Sequence, residues 1–120
     1  MINLFVYGSL MSGLSAHHFI QAGTFLGVCR TAPRYALVRW HGYPGLVDGE
    51  RAIFGELYCI SPQLLKVLDQ FEGVPIHYLR REISLSSGDV AMGYSLQPDA
   101  QAISQAIPAI CWRRYLYGDS

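Results

Sequence analysis

Phe5-Val6-Tyr7-Gly8-Ser9-Leu10 is the stretch on which the reading of the fold turns. Ile2, Leu4, Phe5, Val6 and Tyr7 are β-branched, aliphatic or aromatic, so the run that enters it reads as a buried strand. Gly8 ends that strand, because a residue without Cβ can take the positive φ angles of a sharp turn. Turns of this kind can aim successive backbone N–H groups into one concavity suited to a carboxylate or carbonyl oxygen. The same composition also serves an ordinary strand-ending turn, since glycine punctuates most loops.

Outward from this stretch, Leu14 to Ile20 reads as a short helix closed by Gly23, followed by strands over about 24–31 and 35–40. His41 to Gly45 reads as a loop, with two glycines and a proline in five residues. The next strand covers Ile53 to Ile60, and Gly55 inside it marks a bulge or a close backbone approach. Ser61-Pro62 opens the best-signalled helix: the serine can cap exposed N–H groups, and the proline suits the first helical position. Gly73 closes that helix in the position that favours a left-handed residue. Strands over about 78–85 and 90–96 flank a hairpin turn at Ser86 to Asp89, and 107–117 reads as a short helix or strand packing back. The strands do not alternate regularly with the helices. This predicts a single α+β domain over 1–120, with a mixed, mostly antiparallel sheet that can curl into a small β-barrel flanked by short helices.

Composition sets the outer limits. The 120 residues are enough for one core and too few for two. Apolar residues make up 51% and charged ones 15%, which excludes a disordered chain. Nine basic side chains balance nine acidic ones, and the arginines are scattered apart from the pairs 80–81 and 113–114. A nucleic-acid partner would need a basic excess on one face, so none is expected. Cys29, Cys59 and Cys111 are odd in number and far apart, as in a reduced compartment rather than a disulfide or zinc framework. No positive leader precedes the first apolar run and no segment approaches bilayer length, so a soluble cytoplasmic protein without a membrane partner is expected. The apolar content and the aromatic tail leave room for a homodimer.

The 61–73 helix singles out one acid. At about 100° per residue, with Leu64 at zero, Leu65 lies near 100°, Leu68 near 40°, Val67 near 300° and Phe71 near 340°. Lys66, Asp69 and Gln70 then make the solvent face, whereas Glu72, at about 80°, points the way the leucines point. A carboxylate that loses hydration costs several kcal/mol unless it is paired, or its pKa rises. Glu72 is therefore either a helix-end acid that frays out or pairs with Arg80 or Arg81, or a general base working near neutral pH. Periodicity alone leaves both open.

Other candidates carry less. Ser9 lacks the G-x-S-x-G elbow and a local base, so its hydroxyl reads as a turn group rather than a nucleophile. His17 and His18 are adjacent and cannot share a helix face, and with His41 and His77 they form no ligand spacing, so no metal is expected. Asp48 and Glu50 flank a turn glycine and read as solvated. Tyr78 and Arg80 alternate along a strand and point to one side, where they line a pocket or simply pack.

Taken together, Val6-Tyr7-Gly8-Ser9-Leu10, Tyr43-Pro44, Gly55-Glu56-Leu57-Tyr58, Leu68-Asp69-Gln70-Phe71-Glu72-Gly73 and Tyr78-Leu79-Arg80 resemble the γ-glutamylcyclotransferase-like family in order and approximate spacing. The resemblance runs from the first strand to about Trp112 and is closest to the compact bacterial branch. It implies a small mixed β-barrel fold and release of 5-oxoproline from a γ-glutamyl-amine or γ-glutamyl-amino acid, with no cofactor. It also implies Glu72 as the general acid/base. The Tyr7–Leu10 turn (Tyr7, Gly8, Ser9, Leu10) would hold the γ-glutamyl group largely through backbone donors, and Tyr78 and Arg80 match the family's Tyr-x-Arg. Related folds occur in a deacylase of antibiotic synthesis and in amidohydrolase domains that do not cyclise, and fold alone does not settle function. A binding module without turnover and an amidohydrolase releasing glutamate are the alternatives.

Overall fold

The computed structural model describes residues 1–118. The opening stretch does form a strand, β1 (Ile2–Val6), at the centre of a five-stranded sheet ordered β2-β5-β1-β7-β6. The others are β2 (Thr24–Arg30), β5 (Phe54–Ile60), β6 (Tyr78–Ser84) and β7 (Val90–Leu96). β1 runs antiparallel to β5, with Ile2 opposite Ile60 and Val6 opposite Glu56, and parallel to β7, with Leu4 opposite Met92. β2 with β5 and β6 with β7 are antiparallel pairs. A central strand is covered on both faces, and this is why Leu4, Phe5 and Val6 read as a continuous apolar run; all three are buried.

A second sheet of three antiparallel strands is ordered β4-β3-β8, with β3 (Tyr35–Trp40), β4 (Tyr43–Asp48) and β8 (Gln105–Ala106). The expected loop at 41–45 shrinks to His41-Gly42, whose positive φ angles of 50° and 80° make the tight turn of a two-residue hairpin. Tyr43-Pro44-Gly45 then continues as strand. Proline and glycine disfavour strands, but Pro44 sits on an edge strand with only β3 beside it, where its missing N–H costs no ladder bond.

The barrel expectation is corrected to an open, curled sheet. The outer strands β2 and β6 approach where Thr31 bridges Leu85, with Ala32 N–H donating to the Ser84 carbonyl at 2.9 Å and Ser86 N–H to that of Arg30 at 3.0 Å. No continuous ladder joins them among the described residues. Gly55 marks a close approach and not a bulge of its own strand: a Cβ there would lie 2.4 Å from the Val6 carbonyl oxygen.

The 61–73 helix forms as α1 (Pro62–Glu72). Ser61 Oγ accepts from Leu64 N–H at 3.1 Å, and Gly73 closes the helix at φ 68°. The expected 14–20 helix reduces to a single 3-10 turn at His17–Phe19. Its reason is local: Ala16 N–H is spent on the Ser9 carbonyl and the His17 ring on the Leu10 carbonyl, so this segment is tied back to the first turn. The C-terminal stretch holds α2 (Pro98–Gln101), β8 and α3 (Trp112–Leu116), not one element over 107–117. Residues 107–111 form an irregular, bent segment that links the two sheets, with Ile107 N–H donating to the Leu37 carbonyl and the Ile110 carbonyl accepting from Phe54 N–H. Among the described residues, no helix is long and apolar enough to cross a membrane.

Candidate active site

The backbone after β1 explains what the first turn is for. The Gly8 carbonyl accepts from Met11 N–H at 3.0 Å, the Ser9 carbonyl from Ala16 N–H at 2.9 Å, and the Leu10 carbonyl takes His17 Nδ1 at 2.9 Å. Every carbonyl of the turn is thus used by the chain that follows. The N–H groups of Gly8, Ser9 and Leu10 have no acceptor among the described residues. Gly8 and Ser9 are half-buried and Leu10 buried, and all three line one cavity, so donors without a protein partner lie along its wall, where an acceptor group of a ligand can be met. Gly8 is not at positive φ, contrary to the expectation. It must be glycine because Pro44 of β4 packs on it: a Cβ would lie 2.7 Å from Pro44 Cγ.

Facing this turn is a cavity of about 260 Å³, lined by the end of β1 and its turn, by Trp40, Tyr43 and Pro44 from the β3–β4 hairpin, by Phe71 and Glu72 from α1, and by His77, Tyr78 and Tyr94. The rotation argument holds at its centre. The buried residues of α1 are Leu65 and Leu68, on either side of the direction in which Glu72 points. The stripe is narrower than expected, because Val67 and Phe71 are exposed, Phe71 packing on Phe19 at a ring separation of 4.6 Å. Glu72 is partly buried and has neither a hydrogen bond nor an ion pair among the described residues. Burial, uncompensated, pushes its carboxyl up to about 7.

The ion pairs open to it in the sequence go elsewhere. Arg80 Nε lies 3.5 Å from Asp69 Oδ1, and Arg81 Nη2 lies 3.4 Å from Asp48. Arg80 stays on the side of Tyr78, opposite Tyr94, but it is not among the residues lining the cavity, because its guanidinium is drawn to Asp69. Asp69, expected in solvent, accepts from Tyr94 Oη at 2.8 Å and so ties α1 to β7 one turn before Glu72. Asp48 is exposed and only loosely paired.

Tyr7 and Tyr78 line the cavity with their rings while their hydroxyls hold the two sheets together. Tyr7 Oη donates to the Tyr94 carbonyl at 2.6 Å and accepts from Leu46 N–H at 3.0 Å, and Tyr78 Oη donates to the Pro44 carbonyl at 2.7 Å. Burial above all, then the Tyr78 and Glu72 charges, puts the Tyr7 hydroxyl well above its ordinary range. Burial first and Glu72 second do the same for Tyr78. Both remain neutral. Ser9 lines the cavity through its turn, with no base bonded to its hydroxyl among the described residues.

Sequence reasoning missed Trp40, Tyr43, Phe71, His77 and Tyr94 as cavity residues. The aromatic flanks of the His41-Gly42 turn signalled Trp40 and Tyr43, while Phe71, His77 and Tyr94 come from other elements. The ring of Trp40 stands edge-on to His41 and Tyr78, with its Nε1–H buried and without an acceptor among the described residues.

Comparison with known proteins bears on the family and the fold. The family model described as gamma-glutamyl cyclotransferase, AIG2-like, matches residues 4–114. A Vibrio cholerae protein provisionally named gamma-glutamylcyclotransferase is 41% identical over 85 residues, covering 71% of this chain and 74% of its own. The gamma-L-glutamyl-butirosin B gamma-glutamyl cyclotransferase of Niallia circulans is 35% identical over 72 residues, covering 60% of this chain and 46% of its own. In structure, a Kluyveromyces lactis allophanate hydrolase superposes with a TM-score of 0.86 at 21% identity, over 98% of this chain but only 21% of that longer protein, which speaks to fold alone. With the family model spanning nearly its whole length, the chain belongs to the gamma-glutamyl cyclotransferase, AIG2-like family of enzymes.

Proposed function

We propose that the protein is a γ-glutamylcyclotransferase that releases 5-oxoproline and a free amine from a γ-glutamyl-amine or γ-glutamyl-amino acid, with Glu72 as general acid/base. One observation carries the reading: a carboxyl raised to about 7 shares a small cavity with three residues whose backbone N–H groups have no acceptor among the described residues. The cavity volume, below the roughly 300–1,000 Å³ of drug-sized sites, suits a glutamyl unit. The names of the butirosin and Vibrio cholerae relatives, both gamma-glutamyl cyclotransferases, support the same reaction class.

The chemistry follows from these parts. Glu72, ionised, takes a proton from the α-ammonium of the glutamyl group, and the free amine attacks its own γ-carbonyl. A C–N bond forms and the carbonyl oxygen becomes an oxyanion. As the tetrahedral carbon collapses, the bond to the departing amine breaks and Glu72 returns the proton to it. The second proton, shed by the ring nitrogen as it becomes the lactam amide, passes by the same carboxylate to the released amine, which leaves as its ammonium. No water is consumed. Because the attack closes a five-membered ring, positioning lowers much of the barrier. The N–H groups of Gly8, Ser9 and Leu10 supply donors for the substrate carboxylate or the oxyanion. A pKa near 7 suits an acid that must both take and give a proton at neutral pH.

Incubating the purified protein with a panel of γ-glutamyl-amines and γ-glutamyl-amino acids, with mass-spectrometric detection of products, tests the proposal. The expected product is 5-oxoproline, lost in Glu72→Gln at unchanged circular dichroism. Free glutamate in place of the lactam would identify an amidohydrolase. Ligand-induced thermal stabilisation without any product would identify a binding module.

A further inference from the structure

Outside the cavity, one buried charge has no part in the chemistry above. Glu56 of β5 is 3% exposed and accepts four hydrogen bonds: Ser12 N–H at 2.8 Å, Ser12 Oγ at 2.7 Å, Tyr58 Oη at 2.9 Å and Arg113 Nη2 at 3.1 Å. The same Arg113 nitrogen also bonds the Ser12 carbonyl and lies 3.4 Å from Ser12 Oγ. Burial pushes the Glu56 carboxyl up, but the bonds from Ser12, Tyr58 and Arg113 outweigh it and hold the group below its ordinary range.

Ser12 stands two residues beyond Leu10, so its backbone and hydroxyl are fastened where the N–H turn ends. A tight turn between a fixed strand and a fixed exit has little freedom left. Desolvating a carboxylate for this purpose is costly, and full hydrogen bonding is what makes it tolerable. A neutral core residue would fill the space at β5 without gripping a backbone N–H. The grip also crosses the chain: Arg113 lies 101 residues from Ser12, on the C-terminal helix.

We propose that Glu56 is a positioning residue, which through Ser12 and with Arg113 as counter-ion holds the Gly8–Leu10 N–H groups in the geometry that receives the substrate. The proposal deepens the functional reading given above and rests on it for its kinetic arm. It makes the C-terminal helix part of the support of a site built near the N-terminus.

The test has two arms. In the first, without substrate, the backbone amide resonances of Gly8, Ser9 and Leu10 are followed in Glu56→Gln, with Ile83 and Ala91 as reporters of the far strands β6 and β7 of the same sheet. Shifts at the turn with the far strands unmoved are expected; an unmoved turn in a folded variant overturns the proposal whatever the enzyme does. In the second, kcat/KM toward the best γ-glutamyl substrate falls about 10- to 100-fold, as expected for misplaced donors, while the pH profile set by Glu72 keeps its position. If the profile moves with the rate, Glu56 acts on Glu72 and the positioning role is overturned. Should Glu56→Gln not fold, Ser12→Ala and Arg113→Met carry the same measurements. Ser12→Thr, which keeps the hydroxyl, is expected to restore what Ser12→Ala loses, and equal behaviour of Ala and Thr overturns the clamp. A wild-type chain with no lactam product but a turn that moves in Glu56→Gln would sink the enzymatic reading and leave the clamp standing.

Discussion

The proposed reaction concentrates its proton transfers in one side chain, Glu72, and the burial that suits it to them also costs the fold. Its folded pKa, about 7, lies above the ordinary carboxylate value. Between the two values the folded chain keeps a proton that the unfolded chain has lost, so stability falls as pH rises through this window and levels off above it. Glu72→Gln removes that penalty. The variant should therefore be inactive yet more stable than the wild type by roughly 1–2 kcal/mol at pH 8, with the difference vanishing near pH 4, as urea titrations at the two pH values would reveal. In the wild type, kcat/KM should rise with pH through about 7 as the carboxyl ionises. A flat profile there would remove Glu72 from the proton transfer. Gly8 makes the opposite kind of point. Its replacement by alanine forces a Cβ against Pro44, which either displaces the turn or pushes β4 away. About 1–3 kcal/mol of stability should be lost, by analogy with overpacked cores, together with substrate affinity.

At the scale of elements, α1 is held at both ends and the site depends on both. Ser61 caps its start, so Ser61→Ala should cost about 1 kcal/mol without touching the chemistry. Near its other end, Asp69 joins Tyr94 of β7 and Arg80 of β6. Tyr94→Phe removes the donor to Asp69 and leaves the ring that lines the cavity. It should lower kcat about ten-fold or less with the Glu72 pKa in place, because the carboxylate loses only its alignment. An unchanged kcat would mean that α1 is located by its leucines alone. The β3–β4 hairpin does comparable work from the other side: its tight turn brings Pro44 against Gly8 and its carbonyl onto Tyr78.

Over the whole molecule, the two sheets are sewn together by hydroxyls and by the C-terminal stretch. Tyr7 bridges β7 and β4, Tyr78 reaches β4 from β6, and residues 107–113 bond in turn to β3, β5 and the first turn. Trp112 anchors this strap at 3% exposure. Trp112→Ala should cost about 3–5 kcal/mol, measured by denaturant unfolding, because it opens a cavity under the strap and loosens Arg113 beside it.

How far the sequence reached follows from what each signal depends on. The central strand, the capped helix and the inward direction of Glu72 are set by the order of neighbours: an apolar run, Ser-Pro before it, glycine after it, and a rotation per residue that any α-helix shares. These were legible, as was the early glycine turn; that the turn and the acid line one cavity was not, because it depends on how the end of β1 and the end of α1 pack together. The strand at 43–48 was not, because proline and glycine mask it locally, and only an edge position in a second sheet makes them acceptable. Nor was the fate of Arg80, which alternation places beside Tyr78 but which Asp69 claims from another element. The need for glycine at position 8 was legible and its cause was not: Pro44 is 36 residues away, and its approach is a property of how two sheets stack. Sequence alone therefore determined the candidate groups for the proposed chemistry and the local turn and helix that present them. Tertiary structure decided which charges are paired, which backbone donors stay free and how the acid is sheltered, because each of these depends on contacts between segments that local sequence does not bring together.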